Sequence, residues 1–369
     1  PAPGPAPGPG PAPGPAPGPS TIYAITSGNL YKLSLKPDGT PITYAWDPVC
    51  IQKWPCIQTW APPDCRYNLN PYITRFQVSQ GNVFGYSDLQ SPNFKNNPGN
   101  LYWLDLTKKP NPNSCNWKLV ARSPEGGDAK LKRIWVTEQH QVYGICKRDN
   151  AECVYSTTPD PQNPNTVKWT KLQGCTGAPW NSDNPSFCLQ LVNDNELYSL
   201  HADGIYKTTV GTGKWTKVGS SSGSALPTTF GGGGATNYLR YMQIVGNKIY
   251  GTCYLKGVLY SATLKSSTAD LKWVQLSKTH VPGVKSAWAG VRKFQVFPTG
   301  TPPCPYPCHQ SPPPTIATVY AAGGASGVSG PEGGLVKLTL TGYYPLPQWT
   351  RVLPNAKLDY LPIDYMWCV

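Results

Sequence analysis

Four short segments recur in fixed order along this chain, and the recurrence leaves few folds open. The first reads apolar, polar, apolar: Phe76-Gln77-Val78, Ile134-Trp135-Val136, Leu189-Gln190-Leu191, Met242-Gln243-Ile244 and Phe294-Gln295-Val296. The second follows a turn: Val83-Phe84-Gly85, Val142-Tyr143-Gly144, Leu197-Tyr198-Ser199, Ile249-Tyr250-Gly251 and Val319-Tyr320-Ala321. Its aromatics step by 59, 55, 52 and 70 residues. The third runs Leu101-Tyr102-Trp103-Leu104, Val154-Tyr155-Ser156, Ile205-Tyr206-Lys207, Leu259-Tyr260-Ser261 and Leu335-Val336-Lys337. The fourth carries tryptophan at 117, 169, 215, 273 and 349. Four short alternating strands per repeat make one blade of a β-propeller.

The ends of the body supply a sixth unit. Ile22-Tyr23-Ala24 fits the second segment, Leu30-Tyr31-Lys32 the third and Tyr44-Ala45-Trp46 the fourth, while Met366-Trp367-Cys368 provides the missing first. One blade would then be shared by both ends, which hides two strand edges and locks the ring. The expected fold is all-β: a six-bladed propeller over 21–369, preceded by an arm at 1–20. A ring also explains how so long a body avoids splitting, because each blade packs only on its neighbours. Composition agrees, since two Met and five Glu in 369 residues are poor material for helices.

The order Trp-x-x-apolar, apolar-Gln-apolar, Val-Tyr-Gly and apolar-Tyr, clearest over residues 169–260, resembles the tectonin-type propeller repeat. The resemblance implies a protein that binds sugars or surfaces.

The arm has its own logic. Proline stands at every odd position: Pro1, Pro3, Pro5, Pro7, Pro9, Pro11, Pro13, Pro15, Pro17 and Pro19, with Ala or Gly between. Each ring fixes φ near −65° and biases the preceding residue to extended geometry, so the segment is expected to be a polyproline II helix. At about 3.1 Å per residue it reaches roughly 60 Å, against about 50 Å for the width of the body. Alternating Pro with Ala and Gly resembles the hydroxyproline-rich glycoproteins of green-algal and plant extracellular matrix. That resemblance implies hydroxylation and O-glycosylation among Pro1 to Pro19, with Ser311-Pro312-Pro313-Pro314 as a second candidate stretch.

The sequence begins at Pro1 without Met or an apolar leader, which reads as a processed chain. Twelve cysteines outside any metal spacing point to an oxidising, extracellular compartment. Cys50, Cys56 and Cys65 share the first insertion; Cys146 and Cys153 flank a hairpin and invite a clip across it. Cys304 and Cys308 could close within a Pro-rich loop, and Cys175 and Cys188 flank a blade junction. Cys115, Cys253 and Cys368 leave several connectivities open. Insertions are expected at 47–71, 107–116, 216–237 and 298–314, all rich in Pro, Gly or Ser.

Chemistry is harder to find. His140, His201, His280 and His309 are isolated in sequence, and Cys304-x-x-x-Cys308-His309 fits a disulfide better than zinc. Gly231 to Gly234 lacks the Gly-Lys-Ser/Thr of a phosphate loop, and no Gly-x-Ser-x-Gly elbow occurs. Neither catalysis nor a cofactor or metal is expected. The net charge of +13 comes from scattered Lys and Arg, densest at Lys130, Lys132 and Arg133, so a solvated basic surface is expected rather than a nucleic-acid partner. No apolar stretch is long enough to span a membrane. Most of the 35 Tyr and Trp recur at blade positions and read as packing. Trp54, Trp60, Trp180 and Trp288 lie outside the repeat and are candidate sugar or partner contacts. The expected function is a secreted structural subunit that docks its arm on copies of itself in a filament or matrix. The alternative is a lectin-like propeller with the arm as a stalk.

Overall fold

The computed structural model describes residues 20–26, 28–51, 73–86, 99–108, 110–112, 115–124, 130–148, 151–172, 186–192, 195–201, 203–212, 214–219, 239–253, 258–264, 271–277, 291–298, 316–323, 334–341, 346–352 and 365–369. These form six four-stranded antiparallel sheets arranged as a six-bladed propeller. From blade 1 to blade 6 the innermost strands are Tyr365–Cys368, Arg75–Ser79, Lys130–Val136, Ser186–Val192, Leu239–Val245 and Val291–Pro298. The second strands are Thr21–Thr26, Asn82–Tyr86, Val142–Arg148, Glu196–His201, Lys248–Cys253 and Ala317–Gly323. The third are Asn29–Ser34, Leu101–Asp105, Ala151–Thr157, Ile205–Thr209, Leu259–Thr263 and Gly334–Leu340. The outermost are Asp47–Cys50, Lys118–Ala121, Thr170–Lys171, Thr216–Gly219, Val274–Gln275 and Thr350–Arg351. Each innermost strand touches the innermost strands on both sides, so the ring is closed.

The repeat encodes this packing. Every apolar cluster spans a boundary between blades. One joins Phe84 and Leu101 of blade 2 to Tyr143 and Ile145 of blade 3; another joins Leu200 of blade 4 to Met242 of blade 5. Both faces of a blade are therefore buried, which explains why its inner strands are apolar on either side of the pleat. The residue after the second-strand aromatic is always small: Ala24, Gly85, Gly144, Ser199, Gly251 and Ala321. A Cβ on Gly85 would stand 3.2 Å from the Trp117 ring and 2.7 Å from Ile73 Cγ2; on Gly144, 3.2 Å from Trp169 and 2.6 Å from Leu131 Cδ1. In these two blades small residue and repeat tryptophan are two halves of one contact, while in blade 5 the space at Gly251 is filled by Leu239. Trp46, Trp117, Trp273 and Trp349 are buried.

Blade 1 closes the ring as the sequence implied. Ile22, Tyr23, Ala24 and Ile25 pair with Cys368, Trp367, Met366 and Tyr365. Val369 O accepts from Ser20 N at 2.8 Å and Thr21 N at 3.1 Å, and Val369 N donates to Thr21 O at 2.8 Å. The seam to blade 6 is sealed by the turn at Gly39, whose φ of +76° favours glycine. There Tyr320 Oη donates to Gly39 O at 3.2 Å and Lys337 Nζ to Asp38 O at 3.2 Å.

Four boundary expectations are corrected. In blade 1 the outermost strand is Asp47–Cys50 rather than 44–46, with Tyr44 69% exposed. Trp46 stands just before the strand, as the repeat tryptophan does in every other blade, so the tryptophan marks entry to the strand. Residues 47–50, 216–219 and 298 likewise belong to strands, so the insertions around them are shorter than expected.

The cysteines differ too. Cys50 bonds Cys115, 65 residues away, tying the outermost strand of blade 1 to the segment before that of blade 2. Ile51 N donates to Pro112 O at 2.7 Å beside it. Cys146 and Cys153 face each other in register, buried, but as thiols. Directly opposed residues hold Cβ atoms about 4.5–5.5 Å apart, wider than the roughly 3.8 Å a disulfide favours, so the hairpin clip is not closed. Cys188 is also a buried thiol, its Sγ donating to Met242 O at 3.4 Å. Cys56, Cys65, Cys175, Cys304 and Cys308 lie outside the described residues.

Candidate functional site

The innermost strands bring side chains from all six blades to one central channel. The middle residue of each apolar-x-apolar segment is Gln77, Trp135, Gln190, Gln243, Gln295 or Trp367. The glutamines work between blades. Gln77 Nε2 donates to Val136 O at 2.8 Å and its Oε1 accepts from Val136 N at 2.9 Å. Gln190 does the same to Ile244, at 2.7 Å for both bonds. Gln243 Oε1 accepts from Val296 N at 2.7 Å. Each amide imitates a strand partner and satisfies main-chain groups that the next blade cannot pair itself. Where tryptophan replaces glutamine, Trp135 and Trp367 meet edge to face across the channel, ring centres 6.0 Å apart.

Two residues before this position stand Arg75, Arg133, Cys188, Tyr241 and Lys293, and all line the channel cavity. Four of the five follow or adjoin a β-bulge. The register shifts between Leu131 and Arg133, Ser186 and Cys188, Leu239 and Tyr241, and Val291 and Lys293. The extra residues are Lys132, Phe187, Arg240 and Arg292. A bulge bends the strand and re-aims its neighbours, and here it recurs at one level of the ring.

The bulges free carbonyls, which the site reuses. Arg133 Nε donates to Phe187 O and Nη1 to Lys132 O, each at 2.6 Å, and Tyr86 Oη donates to Lys132 O at 2.5 Å. Lys293 Nζ lies 5.3 Å from the centre of the Trp367 ring, a cation–π distance. No Asp or Glu is among the described lining residues. The cavity itself is small, about 30 Å³. Behind it, Glu152 Oε2 accepts from Ser186 N at 3.0 Å. Burial pushes the Glu152 carboxyl above the usual range; the Ser186 amide and the charges of Arg133, Lys147 and Lys132 only partly offset that.

A Ser–His chain also lies inside blade 4. Ser199 Oγ is 2.9 Å from His201 Nε2 and 3.0 Å from Ser186 Oγ. Ser199 and His201 are both 0% exposed. Substrate cannot reach this serine, so the pair is a buried polar latch rather than a nucleophile and base. Among the described residues no group of His, Cys, Asp and Glu could hold a metal ion, and no helix is long and apolar enough to cross a membrane.

A second cleft, of about 230 Å³, opens on blade 2 between the third and outermost strands. Trp103 forms one wall, its indole N–H donating to Asn82 Oδ1 at 2.5 Å. Asp105, Asn111, Asn116 and Lys118 supply polar groups around it.

Sequence reasoning named neither place. Trp54, Trp60, Trp180 and Trp288, and the prolines from Pro1 to Pro19, lie outside the described residues. The channel cations had a usable signal: a basic residue two places before the glutamine or tryptophan in three of the repeats.

No family model matches this chain, and no curated protein matches it. Solved structures of low identity do. A Bacteroides caccae protein of unknown function is 7% identical with a TM-score of 0.49, over 95% of this chain and 99% of the other. The luciferin-regenerating enzyme is 10% identical with a TM-score of 0.48, over 92% and 94%. The major Malassezia sympodialis allergen Mala s 1 is 9% identical with a TM-score of 0.43, over 76% and 78%. At such identities the six sheets of this chain remain the basis for its fold.

Proposed function

We propose that this chain is a non-catalytic, secreted structural subunit that joins copies of itself through its Pro-rich arm, in a glycoprotein filament or matrix. The observation that carries the proposal is the anchoring of Ser20. Its amide is bonded to Val369 O and its carbonyl accepts from Leu35 N at 2.9 Å. Residues 1–19, composed for polyproline II, thus start from a point fixed in the closing blade. A preformed polyproline II segment loses little entropy on docking into a neighbour, and a contact that does not close on itself propagates as a fibre. The resemblance of the arm to hydroxyproline-rich matrix glycoproteins supports the same reading, with glycans on Pro1 to Pro19. Removing residues 1–19 should leave a folded monomer that sediments singly while the full chain assembles. Equal assembly by the truncated chain would sink the proposal.

Carbohydrate binding is the second function the geometry favours, and the blade 2 cleft is its observation. An aromatic wall beside Asp, Asn and Lys groups suits a sugar ring, and the tectonin-like repeat points the same way. Glycan-array binding by residues 20–369 that Trp103→Ala abolishes would establish it.

A further inference from the structure

We propose that the bulged end of the central channel binds an acidic oligosaccharide by seating one sulfate or carboxylate group among Arg75, Arg133 and Lys293. The three cations come from three different blades yet line one cavity. Arg133 and Lys293 each follow a β-bulge at the same level of the ring. Three basic residues thus line one end of a channel whose described lining carries no carboxylate. Low-dielectric walls concentrate such a field and raise the local concentration of anions.

Size and shape narrow the ligand. A cavity of about 30 Å³ has room for roughly two waters, which suits a single oxyanion group and excludes a sugar ring. The rest of the ligand must then lie over the mouth. There Trp135, Trp367 and Tyr241 offer faces and edges that pack against sugar rings. Arg133 is held in place by the carbonyls of Lys132 and Phe187, so its guanidinium plane is set before a ligand arrives. A planar guanidinium can take two oxyanion oxygens at once. The bulges thus do two things together: they turn basic side chains toward the axis and supply the carbonyls that orient one of them.

The experiment is a titration of the full chain with a sulfated heparin-derived hexasaccharide, a polygalacturonate hexamer, a neutral hexasaccharide, sodium sulfate and a single-stranded DNA of matched charge. Calorimetry and tryptophan fluorescence read the binding. The acidic oligosaccharides should bind, and the neutral one should not. Arg75→Gln and Lys293→Gln should each weaken binding about tenfold or more. Lys293→Arg should restore most of it, which separates lost charge from lost folding. Lys171→Gln and Lys272→Gln, exposed on the outer part of the blades, should change affinity little. Competition by sodium sulfate shows that the anionic group itself is recognised. Equal weakening by channel and outer substitutions, or DNA binding as tight as the oligosaccharides, would reduce the effect to net charge and overturn the proposal. Its failure would leave arm-mediated assembly untouched, because that is read from the truncation of residues 1–19.

Discussion

Gly144 shows how much one position in the repeat is asked to do. Its missing side chain is the space into which Trp169 and Leu131 pack. Gly144→Val should cost about 1–3 kcal/mol by overpacking, read as a lower urea midpoint at unchanged slope. Glu152 carries the clearest pH dependence. Its folded pKa is raised, chiefly by burial. The folded state therefore holds its proton more tightly than the unfolded chain does. Stability from this group is full below the ordinary carboxylate range and is lost as pH rises through the folded value. Glu152→Gln keeps an acceptor for Ser186 N and removes the charge. Its melting temperature should exceed that of the wild type at pH 7 and converge with it as the pH falls to 4, a comparison calorimetry can make. Asp38, Asp105 and Asp160 act in the opposite sense. Local hydrogen bonds from Thr40, Thr107 and Gln162 hold their carboxyls low. Their contribution is present above the ordinary range and fades on acidification.

At the scale of the strand, the glutamine amides carry the interlock between blades. Gln190→Leu keeps the volume but orphans Ile244 N and O in the next blade, at a cost of about 1–3 kcal/mol. Hydrogen exchange at the Ile244 amide should speed up while amides in blade 1 stay protected. The strand was also the scale at which the sequence was most legible. Phe76-Gln77-Val78 and its counterparts fell inside the innermost strands because the same short segment recurs once per blade, at the same place in the order. The outermost strands were less clear. At 44–50 the tryptophan suggests the strand itself, whereas it stands at the entrance. The bulges at Lys132, Phe187, Arg240 and Arg292 leave no mark on the sequence, because a one-residue insertion changes the register without changing the apolar pattern. The Cys50–Cys115 bond was equally hidden, since only the ring brings those two insertions to the same rim.

For the whole molecule, closure is the property that matters. Strand Tyr365–Cys368 is a short piece of blade 1, yet it buries Met366 completely and joins blade 6 to blade 2. Removing residues 365–369 should open the ring, exposing the edge of Thr21–Thr26 and the innermost strands of both neighbours. The expected outcome is loss of a single cooperative thermal transition and concentration-dependent aggregation, checked by calorimetry and light scattering. Each channel cation is marked by its place in the repeat, but their convergence is not: Arg75, Arg133 and Lys293 are scattered along the chain and meet only once the circle is complete.

The anchoring of Ser20 has a mechanical side. Thr21–Thr26 has hydrogen-bonded partners along both edges, Tyr365–Cys368 and Asn29–Ser34. Tension applied through the preceding prolines runs lengthwise along that strand, across bonds that lie perpendicular to it. The load is therefore shared by two ladders in shear instead of unzipping one bond at a time, so the part of the molecule that completes the circle is also the part best placed to withstand a pull.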